Sequence, residues 1–410
     1  MSSTPKISAP ASKSYLQRAL AISALAEGES ILENISWCND ALAAKQIIED
    51  LGCSIQEEGK TIKITHSGLK FRTLNFNALE SGLSIRMFSP IFALSNKEIF
   101  FTGTSSLKKR PIHIISEALS LLDVEVKTVD GFLPLRIKGP IKAQEIEIDA
   151  SLSSQLLTGL LIALPLAKQN SIIKVNHLKS KPYINMTLRI IREFGGFIEH
   201  QNYSIFKIKG NQKYKAIKYR IEGDWSAAAF FLVLGSVKGS IEVDNLDYTS
   251  KQADKAIIDV LKDVGAIITI KKNSIKVEND KLNSFYFDAT HSPDLIPPLA
   301  ALASQCKGIS QIKGISRLIH KESNRADVLK KELTKIGIAV NLQNDSIYIE
   351  GGEIKSGEID SHNDHRIAML GGIMNLFSNK NIIVKNKETV QKSYPDFFKN
   401  LEKIKQNLNL

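Results

Sequence analysis

Residues 41–64 read ALAAKQIIEDLGCSIQEEGKTIKI, and this stretch decides how the fold is interpreted. Its first half places apolar residues at helical spacing and ends at Gly52, where a left-handed backbone costs little. Its second half holds two short alternating segments separated by a turn, which is the pattern of a β-hairpin. The stretch therefore predicts a helix that ends at a glycine and packs on a small sheet.

The same pattern recurs four more times. The copies are IISEALSLLDVEVKTVDGFLPLRI (114–137), LRIIREFGGFIEHQNYSIFKI (188–208), AIIDVLKDVGAIITIKKNSIKV (256–277) and VLKKELTKIGIAVNLQNDSIYI (328–349). The helix-ending residues recur every 70 to 72 positions, with Asp123 standing in place of glycine in the first of these copies. Helix–glycine–strand segments are common in mixed proteins, but such even spacing argues against chance. The 410 residues hold about six such units, the sixth of which, from His365 onward, is the least regular.

Length and composition favour a two-domain globular protein. A chain of 410 residues is too long for one ordinary core, and its 43% hydrophobic and 24% charged residues are unremarkable. Six units suggest two domains of three, and IEGDWSAAAFF (221–231) is the candidate start of the second half. The opening MSSTPKISAP lacks the apolar stretch of a signal peptide, and the longest apolar run, 156–167, is too short to span a bilayer.

The net charge and the cysteines bear on which partners and which structural sites the protein has. The net charge of +11 is compatible with nucleic acid, an anionic membrane or small anionic substrates. The basic residues form no block, and aromatic residues are only 7%. Cys38, Cys53 and Cys306 lie far apart without ligand spacing, which predicts buried free thiols rather than a disulfide framework or a zinc site.

Basic residues stand where helices are predicted to begin. Within residues 10–28, Lys13 and Arg18 lie near a helix start for which Ser12 and Ser14 are candidate caps. The helix dipole disfavours cations at a helix N-terminus, so a bound anion would explain Lys13 and Arg18. Ordinary surface charge explains them equally well. A second basic group precedes a helix as Lys108, Lys109 and Arg110, although such triplets are usually only solvated.

Hydroxyls and carboxylates complete the set of candidate residues. Residues 153–155, Ser-Ser-Gln, open a very apolar helix, where they hold a phosphate or simply cap the helix. Lys321 and Arg325 are predicted to share a helix face, where an anion would relieve their repulsion. Asp294 lies in an apolar, proline-rich stretch that makes an unpaired carboxylate costly. His365 has no second ligand cluster beside it, so a metal site is not predicted.

These features together indicate a cleft for more than one small polyanion, with carboxylates available for proton transfer. The sequence contains no GxxxxGK[ST] loop, no GxGxxG fingerprint and no Ser/His/Asp signature.

At this point the motifs resemble the enolpyruvyl transferase family, and within it the 5-enolpyruvylshikimate-3-phosphate synthases. The resemblance runs from about Ile7 to the YPDFF segment at 394–398. It rests on six separated motifs in the family's order: SKSxxxR (12–18), KxRPI (108–112), SSQ (153–155), SKPY (180–183), KExxR (321–325) and NDHR (363–366).

The resemblance implies a mixed α/β fold of two domains, each with three βαβαββ repeats in an inside-out α/β barrel. Residues 11–221 would form the first domain, and residues 222–410 with 1–10 the second, with the active site in the cleft between them. It further implies transfer of the enolpyruvyl group of phosphoenolpyruvate to the 5-hydroxyl of shikimate 3-phosphate, in the shikimate pathway, without metal or organic cofactor.

The family's roles carry over to matching positions. For shikimate 3-phosphate, the implied contacts are Lys13, Ser14, Arg18, Ser153, Ser154, Gln155, Ser180, Asp294 and Lys321. For phosphoenolpyruvate, they are Lys13, Gly82, Arg110, Gln155, Arg325, Arg366 and Lys392. The catalytic candidates are Lys13, Asp294 and Glu322. Gly82 also matches the glycine that borders the site of the family's inhibitor glyphosate.

Three positions depart from the family's pattern. The usual NAGT segment reads Glu80-Ser81-Gly82-Leu83, and Arg317 stands where an asparagine is common. Glu388 aligns with the family's phosphoenolpyruvate lysine, and Lys392, four residues later, is the candidate replacement.

Two rival functions make different demands on the sequence. The sister enzyme that acts on UDP-N-acetylglucosamine typically carries a loop cysteine, whereas residues 104–109 contain none. An RNA-binding protein would interleave clustered basic residues with aromatics. We therefore expect a cytoplasmic monomer with small-molecule substrates and neither nucleic acid nor membrane as a partner.

Overall fold

The computed structural model describes residues 4–66, 68, 70–378 and 380–409. The chain divides into two compact units. The N-terminal unit is Lys13–Ile221, and the C-terminal unit combines the residues from Glu222 onward with those up to Ser12. The chain therefore passes from one unit to the other at two points.

The N-terminal unit alternates helices with short strands. Its helices are α1 (Lys13–Ser23), α2 (Asn39–Asp50), α3 (Gly82–Phe92), α4 (His113–Ser120), α5 (Gln155–Ala163) and α6 (Lys181–Glu193). Its strands are β2 (Ala26–Glu27), β3 (Glu29–Glu33), β4 (Ser54–Glu58), β5 (Thr61–Thr65), β6 (Asn75–Asn77), β7 (Glu98–Thr102), β8 (Glu125–Val129), β9 (Phe132–Lys138), β10 (Glu145–Asp149), β11 (Ser171–Asn176), β12 (Ile198–Gln201), β13 (Ile205–Ile208), β14 (Tyr214–Lys215) and β15 (Lys218–Arg220).

The C-terminal unit follows the same alternation. Its helices are α7 (Trp225–Lys238), α8 (Ile257–Asp263), α9 (Ile296–Ala303), α10 (Arg325–Lys335), α11 (His365–Phe377) and α12 (Phe397–Leu408). Its strands are β1 (Lys6–Ser8), β16 (Ser240–Asp244), β17 (Ile267–Ile270), β18 (Ser274–Glu278), β19 (Tyr286–Asp288), β20 (Ile309–Lys313), β21 (Ala339–Gln343), β22 (Ser346–Glu350), β23 (Gly357–Asp360) and β24 (Ile382–Lys385).

One sheet topology repeats in both units. In the order β6-β7-β9-β8, for example, the first pair is parallel and the other two pairs are antiparallel. The same arrangement appears in β15-β3-β5-β4, β10-β11-β13-β12, β1-β16-β18-β17 and β19-β20-β22-β21. The sixth sheet contains only the parallel pair β23-β24. The repeats and the irregular sixth unit predicted from the sequence are thereby confirmed, as is the mixed α/β class.

The predicted helix ends are confirmed by backbone geometry. Gly52, Gly195, Gly265 and Gly337 have φ values of 105°, 83°, 105° and 90°. Asp123 adopts the same left-handed region with φ of 58°, which costs a residue with a Cβ more than glycine. The degenerate copy therefore keeps the turn geometry although it lost the glycine.

The inner helices are almost wholly buried. Every residue of α3 is buried, and α7 is buried from Trp225 to Ser236. A helix that is apolar all round belongs in a core, where burying each large side chain contributes about 1.5–3 kcal/mol. In the C-terminal unit, the ring of Phe397 packs 5.4 Å from that of Phe231. The helices thus form the core, and the sheets present their alternating faces to it.

Two smaller expectations concern cysteines and membranes. Cys38, Cys53 and Cys306 are buried free thiols, as predicted, and burial raises the pKa of the Cys53 thiol to about 11. In the described part of the chain, every helix is too short or too polar to cross a membrane.

Candidate active site

Side chains from the N-terminal halves of three buried helices meet in the N-terminal unit. Gln17 of α1 accepts hydrogen bonds from Ser81 (3.0 Å) and Ser84 (3.3 Å) at the start of α3. Arg86, in the second turn of α3, donates to Gln155 Oε1 at the start of α5 (3.2 Å). Because helix N-termini carry partial positive charge, their convergence forms an environment suited to anions.

Arg18 is a buried cation surrounded by neutral groups. Its Nε donates to Thr187 Oγ1 (2.9 Å), its Nη1 to the Ser14 carbonyl (2.7 Å), and its Nη2 to Thr158 Oγ1 (3.3 Å). Burial lowers the pKa of Arg18 to about 10. Within the described ranges, no carboxylate pairs with this guanidinium. A buried charge of this kind favours an anionic ligand nearby.

Lys13 is the first residue of α1, and its Nζ lies 2.8 Å from Asp40 Oδ2 of α2. Both side chains are mostly buried, so the pair holds the ammonium at the helix N-terminus despite the unfavourable dipole. The helix start also decides between the two candidate caps. Ser14 lies inside the first turn of α1 and is not its cap, whereas Ser12 directly precedes the helix.

Gly82 opens α3 between two guanidinium groups. A methyl group at this position would lie 2.8 Å from Arg110 Nη1 and 2.9 Å from Arg86 Nη1. Arg86 is anchored by the Gly82 and Pro111 carbonyls at 3.2 and 3.0 Å. The Arg110 side chain, by contrast, makes no hydrogen bond to any residue in the described ranges. The missing side chain of Gly82 therefore lets two guanidinium groups approach the start of α3, and the Arg110 group is available to an anion.

The hydroxyl-rich motifs also lie at helix starts. Ser153 Oγ accepts a hydrogen bond from Gln155 N (3.2 Å), and Ser154 directly precedes α5. Ser180 precedes α6 with φ of 57° and is buried. All three serines therefore stand beside helix N-termini, where the first backbone N–H groups have no carbonyl partner within the helix.

A carboxylate held by three cations lies in the C-terminal unit. Asp294 Oδ1 is 3.1 Å from Arg325 Nη1 and 3.3 Å from Lys321 Nζ, and Oδ2 is 3.2 Å from Arg366 Nη2. Burial opposes ionisation of this group, but the charges of Arg366, Lys321 and Arg325 outweigh it and hold the pKa of Asp294 well below its usual range. Asp294 is therefore an ionised acceptor.

Arg325 is the fully buried centre of this network. Its Nε and Nη2 donate to the two oxygens of Asp364 at 2.8 and 3.1 Å, and Nη2 also reaches Glu322 Oε2 at 2.8 Å. Burial disfavours the charge, but Asp364, Glu322 and Asp294 raise the pKa of Arg325. The planar guanidinium, bound on several sides, has a fixed orientation.

One prediction about this network was wrong. Helix α10 begins at Arg325, so Lys321 lies before the helix rather than on one of its faces. The two cations are nevertheless brought together, since both contact Asp294 Oδ1.

The C-terminal lysine lies at the same network. Lys392 is buried, with Nζ 4.0 Å from Glu322 Oε1, whereas Glu388 is exposed. The position four residues after the family's usual one therefore carries the buried cation.

The structure gives no support for a metal site at His365. His365 is buried at the start of α11, where Asp364 caps the helix by accepting from Arg366 N (3.0 Å). Across the residues described, His, Cys, Asp and Glu nowhere gather in a group of three suited to a metal ion.

Sequence reasoning missed the partners of the predicted residues. Asp40, Asp364 and Arg86 each fix the side chain of a predicted site residue. Asp364 belongs to the NDHR motif, but its pairing with Arg325 was not predicted. Arg86 gave a signal as an arginine inside the otherwise apolar helix GLSIRMFSPIF.

Comparison with known proteins decides which chemistry this arrangement serves. The family model EPSP synthase (3-phosphoshikimate 1-carboxyvinyltransferase) matches residues 3–401. The chain belongs to this family. EPSP synthases are transferases, so the protein is an enzyme. A 3-phosphoshikimate 1-carboxyvinyltransferase of Clostridium novyi is 36% identical over 97% of this chain and 94% of its own length. One of Clostridium acetobutylicum is 37% identical with the same coverage.

Solved structures agree with the family. An EPSP synthase of Acinetobacter baumannii superposes with a TM-score of 0.82 and 26% identity, over 98% of this chain and 97% of that one. The enolpyruvyl transferase NikO of Streptomyces tendae shares the fold, with a TM-score of 0.78 and 14% identity over 98% and 95% of the two chains.

Proposed function

We propose that this EPSP synthase family member transfers the enolpyruvyl group of phosphoenolpyruvate to the 5-hydroxyl of shikimate 3-phosphate and releases phosphate. The observation that carries the proposal is the Asp294 carboxylate, which three cations hold ionised at positions matching the family's motifs.

Cations from both units are proposed to bind phosphoenolpyruvate. In the C-terminal unit these are Arg325, Arg366 and Lys392, and in the N-terminal unit Lys13 and Arg110. The neutral Gln155 amide and Gly82 complete the proposed set. Arg110 supports this assignment, because its guanidinium pairs with no described acid and a two-pronged contact to carboxylate or phosphate suits it.

Hydroxyls and buried cations are proposed to bind shikimate 3-phosphate. Ser153, Ser154 and Ser180 hold its phosphate, together with Lys13, Ser14, Arg18 and Gln155, while Asp294 and Lys321 bind the shikimate ring. Arg18 supports the assignment, since its neutral surroundings leave its charge for an anion. A second phosphate in the same site would otherwise be costly in a low-dielectric environment.

The proposed chemistry is addition followed by elimination. The 5-hydroxyl oxygen bonds to C2 of phosphoenolpyruvate while C3 gains a proton, and phosphate then leaves C2 as C3 returns a proton. Asp294 accepts the hydroxyl proton. Glu322 donates a proton to the methylene carbon C3 and later takes one back, and Lys13 contacts both substrates. Anionic substrates draw the cations away from Asp294, which raises its basicity when the proton must be taken. The overall reaction is redox-neutral.

The protein is further proposed to act as a cytoplasmic monomer on small-molecule substrates. Small-molecule substrates account for the basic clusters, so neither nucleic acid nor a membrane is needed as a partner. A cytoplasmic monomer is consistent with this proposal.

A coupled assay tests the proposed function. Phosphate release from phosphoenolpyruvate is expected only when shikimate 3-phosphate is present, with EDTA making no difference. Glyphosate is expected to inhibit competitively with phosphoenolpyruvate, because Gly82 matches the glycine that borders the inhibitor site in this family. Phosphate release with UDP-N-acetylglucosamine as the acceptor would overturn the assignment.

A buried aspartate is expected to tune this site near neutral pH. Burial and the neighbouring Asp294 charge raise the pKa of Asp254 from 3.8 to about 7, although the Arg366 charge opposes the shift. As pH rises through 7, Asp254 ionises, and its carboxylate competes with phosphoenolpyruvate for the Arg366 guanidinium. The ratio of kcat/KM for phosphoenolpyruvate between Asp254→Asn and wild type should therefore rise severalfold from pH 6 to pH 8.

Stability gives a second readout for Asp254. Because its pKa is higher in the folded state than in the unfolded state, the folded protein binds more protons between pH 3.8 and 7. Its contribution to stability therefore declines as pH rises through that window, and the variant gains stability relative to wild type there. Asp259→Asn, an exposed carboxylate on α8, is the control. Ratios that stay flat with pH would contradict this prediction.

A further inference from the structure

Glu332 is a fully buried carboxylate on α10 to which the reaction described above gives no role. Its Oε2 accepts a hydrogen bond from the Asp360 backbone N–H at 3.0 Å. Its Oε1 lies 2.9 Å from His362 Nε2, and Lys335 Nζ lies 2.7 Å from both oxygens. Burying a charge is costly unless such donors surround it, so these contacts hold Glu332 in one place.

Glu332 and Arg325 grip the same segment from the same helix. They lie seven residues apart on α10, which is two helical turns, and therefore face the same side. Arg325 holds Asp364 through two hydrogen bonds, while Glu332 holds Asp360 and His362. The segment from β23 to α11 is thus fixed to α10 at two points.

The backbone between the two points needs such support. His362 and Asn363 have φ values of 50° and 58°, a left-handed region that residues other than glycine adopt at a cost. Asp360 helps from within the segment, because its Oδ1 accepts from His362 N (2.8 Å) and Asn386 Nδ2 (3.1 Å). This conformation places Asp364 where it caps α11 and meets Arg325.

We infer that Glu332 is a positioning residue for the Arg325 guanidinium. By holding Asp360 and His362, it sets the place of Asp364, and Asp364 fixes the plane in which Arg325 presents its N–H groups. The inference rests on the proposed contact between Arg325 and phosphoenolpyruvate. Misplacing a binding group by about 1 Å costs up to roughly 10²-fold in rate, so losing this support should be measurable.

The experiment compares Glu332→Met with wild type. Methionine keeps the length of the side chain but removes both acceptor oxygens. We expect KM for phosphoenolpyruvate to rise by about tenfold, because Arg325 loses its fixed orientation, while KM for shikimate 3-phosphate changes less than about twofold. Glu332→Gln should restore part of the loss, because its carbonyl oxygen still accepts from Asp360 N–H. Glu358→Met is the matched control, because Glu358 lies on β23, is only half-buried and pairs with Lys385.

A double-mutant comparison shows whether Glu332 acts through Arg325. In an Arg325→Lys background, Glu332→Met should add little to KM for phosphoenolpyruvate, since the group it positions is gone. Equal rises in both KM values, or a lower melting temperature with unchanged kinetics, would mean a structural role and overturn the inference. If Glu332→Met does not fold, His362→Asn decides, because asparagine tolerates the positive φ but lacks the reach to Glu332.

Two failures are distinguishable. If Arg325→Lys leaves KM for phosphoenolpyruvate unchanged, the proposed role of Arg325 is wrong, and this inference falls with it. If Arg325→Lys raises that KM but neither Glu332→Met nor His362→Asn does, only the positioning role of Glu332 is overturned.

Discussion

Replacing Asp294 with asparagine is expected to lower kcat by about 10²–10⁴-fold, the usual contribution of a positioned proton acceptor. Asparagine keeps the shape of the side chain but cannot take the hydroxyl proton. The fold should survive, because Arg325 keeps Asp364 and Glu322 as partners. Steady-state phosphate release with both substrates varied separates this loss of turnover from a loss of binding.

Binding of phosphoenolpyruvate, in contrast to turnover, should not be weakened by this substitution. Asp294 occupies Lys321, Arg325 and Arg366 in the free protein, so its neutral replacement leaves these cations more available to an anion. We expect this KM to stay level or fall. Asp263→Asn, an exposed carboxylate on α8, is the control. A kcat within about threefold of wild type would remove Asp294 from the catalytic residues, since general-base catalysis is worth far more than that.

The sequence predicted those parts of the fold that depend on residues close together in the chain. A helix that ends at Gly52 and continues into a hairpin needs only residues close in the chain, so periodicity and one glycine predict it. The prediction also holds for the copy without glycine, because Asp123 adopts the left-handed conformation and completes the same turn. The start of α10 at Arg325 was not predicted, because Lys321 stands at helical spacing from Arg325 in the sequence. In the structure, Lys321 lies between the short helix Ser316–His320 and α10.

The partners that fix the site were not readable. Lys13 and Asp40 are 27 residues apart, and Arg325 and Asp364 are 39 apart. Spacing within a helix or strand says nothing about such pairs, since tertiary packing alone brings them together. The roles given to the motif residues came from the family resemblance, and they stay predictions until the substitutions are measured. What the structure adds is their physical setting, such as the neutral surroundings of Arg18.

Replacing Lys13 with methionine is expected to lower turnover by about 10²–10³-fold or more, the usual cost of removing one charge-stabilising donor. Lys13 Nζ lies at the N-terminus of α1, where it is proposed to meet the anions of both substrates. Methionine matches its apolar stem but carries no charge. Phosphate release, measured with each substrate saturating in turn, should show that more of either substrate does not restore the rate.

Stability tells a loss of chemistry from a loss of fold. Lys13→Met removes the partner that lies 2.8 Å from the buried Asp40 carboxylate, which should cost on the order of 1–3 kcal/mol in unfolding free energy. A typical domain tolerates that loss, so the purified variant should remain folded at assay temperature. Lys45→Met is the matched control, because Lys45 lies on the same helix as Asp40 but pairs with Glu57. Turnover of folded Lys13→Met within about tenfold of wild type would contradict the role given to this lysine, because a donor to both anions cannot be lost so cheaply.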